Sequence, residues 1–186
     1  IDAELREQLA GEIRVMLLRD GMTAILVTHD QNEAFAMTDH VGVFGEGHLR
    51  QWDSAYRIYH EPVDRFVADF IGMGAMLQGE VLGRDRVGTE LGEMTGEIPA
   101  RYAIGEQVCV LIRPDDVIHE DGSALKLDVV KKTFRGANYL YSLRLPGGSE
   151  VLSLVPSHHD HAVGSRIGVR LALEHLAIFP APPGKR

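Results

Sequence analysis

"AILVTHDQNEAFAMTDHVGVFGEGHLRQWD", residues 24–53, is the stretch on which the fold turns. Residues 22–28 form a nearly continuous apolar run that stops at Thr28-His29-Asp30. Runs of this length read as strands covered on both faces in a parallel sheet. Asp30 with Glu33 three positions later has the reciprocal capping pattern, an Asp standing where Ser or Thr is usual, and predicts a helix over 31–37. Residues 41–44 and 48–52 then flank Gly45-Glu46-Gly47 and predict a β-hairpin. Strand, polar turn and helix make one α/β unit. Sheets of that kind gather ligands at the carboxyl ends of their strands, and His29 stands at such an edge. An imidazole there donates to an anion or orients a water. The same ring equally serves to satisfy a backbone carbonyl or to close a turn.

Working outward, residues 1–21 place Leu5, Leu9, Ile13 and Met16 or Leu17 at helical spacing, with Asp2 set to cap the start and Gly21 to end the helix. This apolar stripe has nothing in the sequence to cover, so a larger core is expected to precede Ile1. Toward the carboxyl end, residues 54–59 and 64–71 read as short helices separated by Pro62. The texture changes at Gly72-Met73-Gly74. Short alternating segments follow at 79–82, 87–91, 107–112, 125–132, 139–145, 151–155, 167–173 and 176–179. Many short strands at close spacing predict a small β-barrel or sandwich. The expected domains are therefore residues 1–71 and 72–186, with a frayed tail from Pro180.

The net charge of −8 lies almost wholly in the first part, where 6 basic side chains face 13 acidic ones. Without a basic block there is no footprint for a phosphate backbone, and nucleic acid is not expected as a partner. The single Cys109 sits within an apolar alternation, as expected of a buried, inert thiol in a reducing compartment. No apolar run reaches the roughly 18–20 residues that cross a bilayer, and the start lacks a signal pattern. A His-Asp pair also belongs to metal phosphohydrolases of the HD superfamily. Those need further His and Asp ligands from other helices, and no such set lies nearby.

The run "LREQLAGEIRVMLLRDGMTAILVTHDQNEAFAMTDHVGVFGEGHLRQWDSAYRIYHEPVDRFVADFIG" resembles the last third of the nucleotide-binding subunit of an ABC importer, in the group of maltose, spermidine and ferric iron systems. "GEQVCVLIRPDDV", "FRGANYLYSLRL" and "VGSRIGVRLALEHLAIFP" resemble the TOBE regulatory domain that follows it, an OB-like barrel. The fold class implied is an α/β remnant of a P-loop ABC ATPase domain followed by an all-β barrel. The pattern of 134–161 is most similar to the ferric iron branch.

Carried over by this resemblance, His29 is the switch histidine that contacts the γ-phosphate of ATP, and Asp2 is the D-loop aspartate. ATP and magnesium are the cofactors implied for the whole subunit. The sequence contains no G-x-x-x-x-G-K-[ST] loop, no LSGGQ-type signature and no strand ending in Asp-Glu. The chain is thus expected to be a carboxyl-terminal fragment that holds no cofactor and hydrolyses no ATP. The implied partners are a second copy, a membrane permease and, through it, a periplasmic binding protein. The implied location is the cytoplasmic face of the inner membrane.

Two features of the β-rich part have readings of their own. Arg113-Pro114-Asp115-Asp116 resembles an "RPE" element, and Arg113 is a candidate anion ligand or a structural salt-bridge partner. In Ser157-His158-His159-Asp160-His161, alternate side chains of an extended segment share a face, so His159 and His161 are candidate metal ligands that His158 does not join without a tight turn. A different class of function follows from these two: a stand-alone β-barrel module sensing an anion or a metal. Phe134, Tyr139, Leu140 and Tyr141 fill the barrel core or form a dimer contact.

Overall fold

A computed structural model describes residues 3–182. The chain divides into two compact units, Ile1–Ile71 and Gly72–Arg186. Asp2, which carries the capping and D-loop expectations, and residues 183–186 of the expected frayed tail lie outside the described residues, whereas Pro180, where fraying was expected to begin, ends a strand paired with Val108.

The first unit opens with α1 (Ala3–Arg19). The helix ends where Gly21 adopts a φ of +62°. The Met22 N–H then donates to the Leu17 carbonyl and the Gly21 N–H to that of Leu18, the paired bonds that close a helix on a left-handed glycine. Helix α2 (Gln31–Met37) starts where the sequence predicts: the Asp30 carboxylate accepts from the N–H groups of Asn32 and Glu33, at 2.9 and 3.3 Å. The Glu33 carboxylate accepts from the Thr28 hydroxyl at 2.8 Å, and that hydroxyl accepts from the Asp30 N–H. Arg14 ties α1 to the end of α2 through the Met37 carbonyl and Asp39.

Strands β1 (Val41–Gly45) and β2 (His48–Asp53) form the hairpin, turning on Glu46 and Gly47, both with positive φ, as a two-residue hairpin turn requires. Helices α3 (Ala55–His60) and α4 (Arg65–Ile71) follow, with the Ser54 hydroxyl and the Asp64 carboxylate accepting from their first turns. Between them the buried Gln51 amide donates to the Glu61 carbonyl and accepts from the Val63 N–H, bracketing Pro62. Val43, Ile58, Val67 and Ile71 form the small core of this unit.

The buried strand expected over 22–28 is not formed. Those residues have no regular secondary structure, and Ile25 and Val27 are both 92% exposed. A strand needs a neighbour to take its N–H and C=O groups. Among the described residues the only sheet of this unit is the β1–β2 hairpin, and 22–28 is not part of it. The stripe of α1 is likewise exposed, with Leu5, Leu9, Ile13 and Met16 between 40% and 46% accessible. Among the described residues there is therefore no α/β layer, and the fold they form is mostly β.

The second unit carries β3 (Ala75–Val81), β4 (Arg86–Thr89), β5 (Gly92–Thr95), β6 (Gln107–Ile112), β7 (Val117–His119), β8 (Lys126–Phe134), β9 (Asn138–Arg144), β10 (Glu150–Pro156), β11 (Arg166–Leu171) and β12 (Ile178–Pro180). They form two five-stranded sheets, ordered β12-β6-β3-β4-β5 and β10-β9-β8-β11-β7. In the second sheet the outer strands meet again. The Ser153 hydroxyl of β10 donates to the Val117 carbonyl of β7 at 2.5 Å, so the sheet nearly closes into a barrel. Burial alternates along β3 and β10, as strands with one face inward require. Strand β6, flanked by β3 and β12, is buried from Val108 to Ile112, and Cys109 is buried within it. Tyr141 and Leu143 join Leu77, Val110, Val151 and Ile167 in one core, whereas Phe134 is 64% exposed.

Candidate functional site

His29 lies in a bend between Thr28 and α2, exposed to solvent. The residues around it serve α2: Asp30 caps the helix, and Thr28 is held by Glu33. The ring is thus presented at a helix start, without a strand behind it.

Arg113 is placed differently from the ligand that the sequence allowed. Its side chain is buried, 2% exposed, and its guanidinium donates to the carbonyls of Gly72 and Met73 at 3.0 and 3.2 Å. Its own N–H donates to the Asp116 carboxylate at 2.7 Å. Arg113 therefore anchors the first residues of this unit against the end of β6. Burial pushes the Asp116 carboxyl up to about 6, offset by the hydrogen bond from the Arg113 backbone and raised further by Asp115.

The histidine segment builds a denser constellation. His159 and His161 come to one side of the chain that leaves β10, while Asp160 between them turns away to pair with Lys132. They meet His119, the last residue of β7. The ligand nitrogens of the three lie within 4.8 Å of one another. His119 Nε2 is 3.1 Å from His161 Nε2 and 3.0 Å from the Asp121 carboxylate. The rings of His159 and His161 are nearly parallel, 11° apart, and each centroid is 4.7 Å from that of His119. The buried Tyr141 fixes this arrangement: its hydroxyl donates to the His159 carbonyl and accepts from the His161 N–H, both at 3.0 Å. Burial, above all, holds the His119 imidazole below the ordinary histidine value. The Asp121 carboxylate pulls it back up, and His161 and His159 push it down.

The sequence placed two of these three residues. His119 was missed because it lies on a three-residue strand, 40 positions before His159, that follows Arg113-Pro114-Asp115-Asp116 and has no alternation to announce it. The one available signal was Val117-Ile118-His119, a β-branched pair leading into a histidine. His158 remains exposed, as the alternation predicts, and its ring packs on that of His159.

Comparison with known proteins bears on both units. The TOBE domain family matches residues 110–179. The spermidine/putrescine import ATP-binding protein PotA of Desulfitobacterium hafniense (strain Y51) is 36% identical over 99% of this chain and 52% of its own length. PotA of Aggregatibacter actinomycetemcomitans is 30% identical over 91% of this chain and 50% of its own. PotA 1 of Pseudomonas aeruginosa is 34% identical over 84% and 45%. The chain is a relative of ABC importer ATP-binding subunits and carries a TOBE domain. It spans about half the length of the curated relatives it matches.

The TOBE match runs from Val110 in β6 to Phe179 in β12, so Arg113, Asp116 and the three histidines all belong to the TOBE domain. These relatives are named for spermidine and putrescine, and the ferric iron expectation finds no support among them. Among solved structures, the molybdate-bound form of the cytoplasmic molybdate-binding protein ModG overlaps 65% of this chain and 99% of its own, at a TM-score of 0.47 and 14% identity. That likeness is too distant to carry any reading of a ligand.

Proposed function

We propose that this chain is the carboxyl-terminal part of the ATP-hydrolysing subunit of an ABC importer, with residues 1–71 completing the nucleotide-binding domain and residues 72–186 forming the TOBE domain. The observation that carries this reading is the 36% identity to an import ATP-binding protein along 99% of the chain, which spans both units rather than the barrel alone. The exposed apolar residues of the first unit support it. Ile25 and Val27 at 92% exposure, with the open stripe of α1, are surfaces that a parallel sheet and its covering helices would bury.

In the whole subunit, residues 22–28 form the strand whose carboxyl end presents His29 to the γ-phosphate of ATP, and Asp2 faces the nucleotide of the opposite copy. Magnesium and the remaining phosphate ligands come from outside this sequence, and residues 1–186 alone hydrolyse no ATP. ATP clamps two copies together, hydrolysis resets them, and the cycle drives a permease from the cytoplasmic face of the membrane. The solute is chosen by the binding protein and the permease, so neither the polyamines of the relatives nor ferric iron is assigned to this chain. The coding sequence upstream of Ile1 is the direct check. An in-frame phosphate loop and signature motif are expected there, and a start codon at or just before Ile1 would overturn the reading.

A further inference from the structure

The cluster of His119, His159 and His161 has no part in ATP hydrolysis as proposed above, yet it is built with more care than a solvated loop requires. The Nε2 atoms of His119 and His161 and an Asp121 carboxylate oxygen crowd together at 3.1 and 3.0 Å. One ring proton can bridge only two of these electron-rich atoms, whereas a divalent cation would take the lone pairs of both imidazoles. The spacing is also that of a metal site. Two imidazole nitrogens at zinc bond lengths of roughly 2.0–2.1 Å in a tetrahedron stand about 3.3 Å apart. The observed 3.1 Å needs almost no adjustment. All three ligand nitrogens already lie within 4.8 Å of one another, on backbone held by Tyr141 and by the pairing of β7 with β11.

Support from behind is equally specific. The fully buried Tyr141 binds the backbone on either side of Asp160, one bond to His159 and one to His161. Asp160 is drawn away by Lys132. The His119 side chain is 6% exposed and lies at the end of β7, which pairs with β11 through Val169. Ligands held by packing and by hydrogen bonds to their own backbones are pre-organised, which is what raises affinity above that of a flexible histidine tract.

We propose that His119, His159 and His161 form a binding site for one divalent first-row transition-metal ion of the zinc class, with Asp121 beside the open fourth position. Three imidazoles suit zinc, cobalt, nickel and copper, and are a poor match for magnesium or calcium, which prefer oxygen. A bound ion would join the β10–β11 connection to β7, across the place where the second sheet comes closest to closing. It would therefore raise the melting temperature of the TOBE domain, since it binds the folded state alone.

The test uses residues 1–186 as they stand, titrated with cobalt(II) and then with zinc. One cobalt per chain, with the visible bands of tetrahedral coordination, and its displacement by zinc at micromolar or tighter affinity are expected. His119→Ala and His161→Ala should each weaken zinc binding by more than about 100-fold, beyond the roughly 10- to 100-fold that an outer-shell partner costs. His158→Ala should leave it unchanged. Should the variants fold poorly, the unaltered chain still decides. Of its nine histidines, zinc should shift the ring-nitrogen resonances of three and leave six in place. Millimolar affinity, shifts spread over all nine rings, or a folded His119→Ala chain that binds zinc as tightly as the parent would overturn the site.

Discussion

Asp116 shows how one side chain can be structural and titratable at once. Its carboxylate takes the N–H of Arg113, yet burial raises its pKa to about 6 from an ordinary value near 3.8. The folded chain therefore holds this proton more tightly than the unfolded chain between those two values. Stability contributed by the protonated form is complete below about pH 4 and is lost as pH rises through about 6. Asp116→Asn keeps an acceptor for the Arg113 N–H without the charge. Comparing melting temperatures from pH 4 to 7.5, the variant should lack this component of the decline and be at least as stable as the parent at pH 7.5. A difference curve that is flat with pH would rule the assignment out. Residue identities were legible unevenly. Asp30 and Gly21 declared their roles because capping and left-handed backbone are local chemistry. Arg113 did not, because whether a guanidinium meets a ligand or two carbonyls 40 and 41 residues away is decided by the tertiary fold.

At the scale of elements, helix starts and hairpins followed the sequence closely. Helix α2 spans the predicted residues, and β6 spans 107–112 as expected, because caps and strict apolar runs act over a few positions. Strands β5 and β7 were missed, being short and carrying little alternation, and their existence rests on neighbours remote in the chain. The opposite error befell 22–28: a strongly apolar run has strand propensity, but propensity supplies no partner. Neighbouring elements also impose constraints that no local rule reveals. Gly168 in β11 is one, since a Cβ there would lie 2.2 Å from the Glu120 carbonyl oxygen. That contact is with backbone, which does not swing aside. Gly168→Ala should destabilise the barrel by about 1–3 kcal/mol, as overpacking does. Urea unfolding followed by tyrosine fluorescence should show the midpoint fall without a change in slope. An unaltered midpoint would mean that the β7–β8 connection is free to move.

Over the whole molecule, the two units differ in how well their apolar side chains are covered. The second unit encloses a core running from Leu77 to Ile178, whereas the first unit gathers a core cluster of four among its described residues and leaves the stripe of α1 and 22–28 open. A self-sufficient domain and a part of a larger layer would differ in this way. The change in hydrophobic period at Gly72 falls where the two compact units part, whereas the P-loop character was an expectation from resemblance alone, and the described residues form no sheet that displays it. The central claim about mechanism, that His29 of this ABC importer subunit acts on the γ-phosphate, is tested most directly by ATP hydrolysis in the full-length subunit, parent beside His29→Ala. If His29 acts on the γ-phosphate, hydrolysis should fall by about 100-fold or more while ATP binding persists, as when a transition-state hydrogen-bond donor is removed. Hydrolysis at the parent rate in a folded, ATP-binding variant would contradict it.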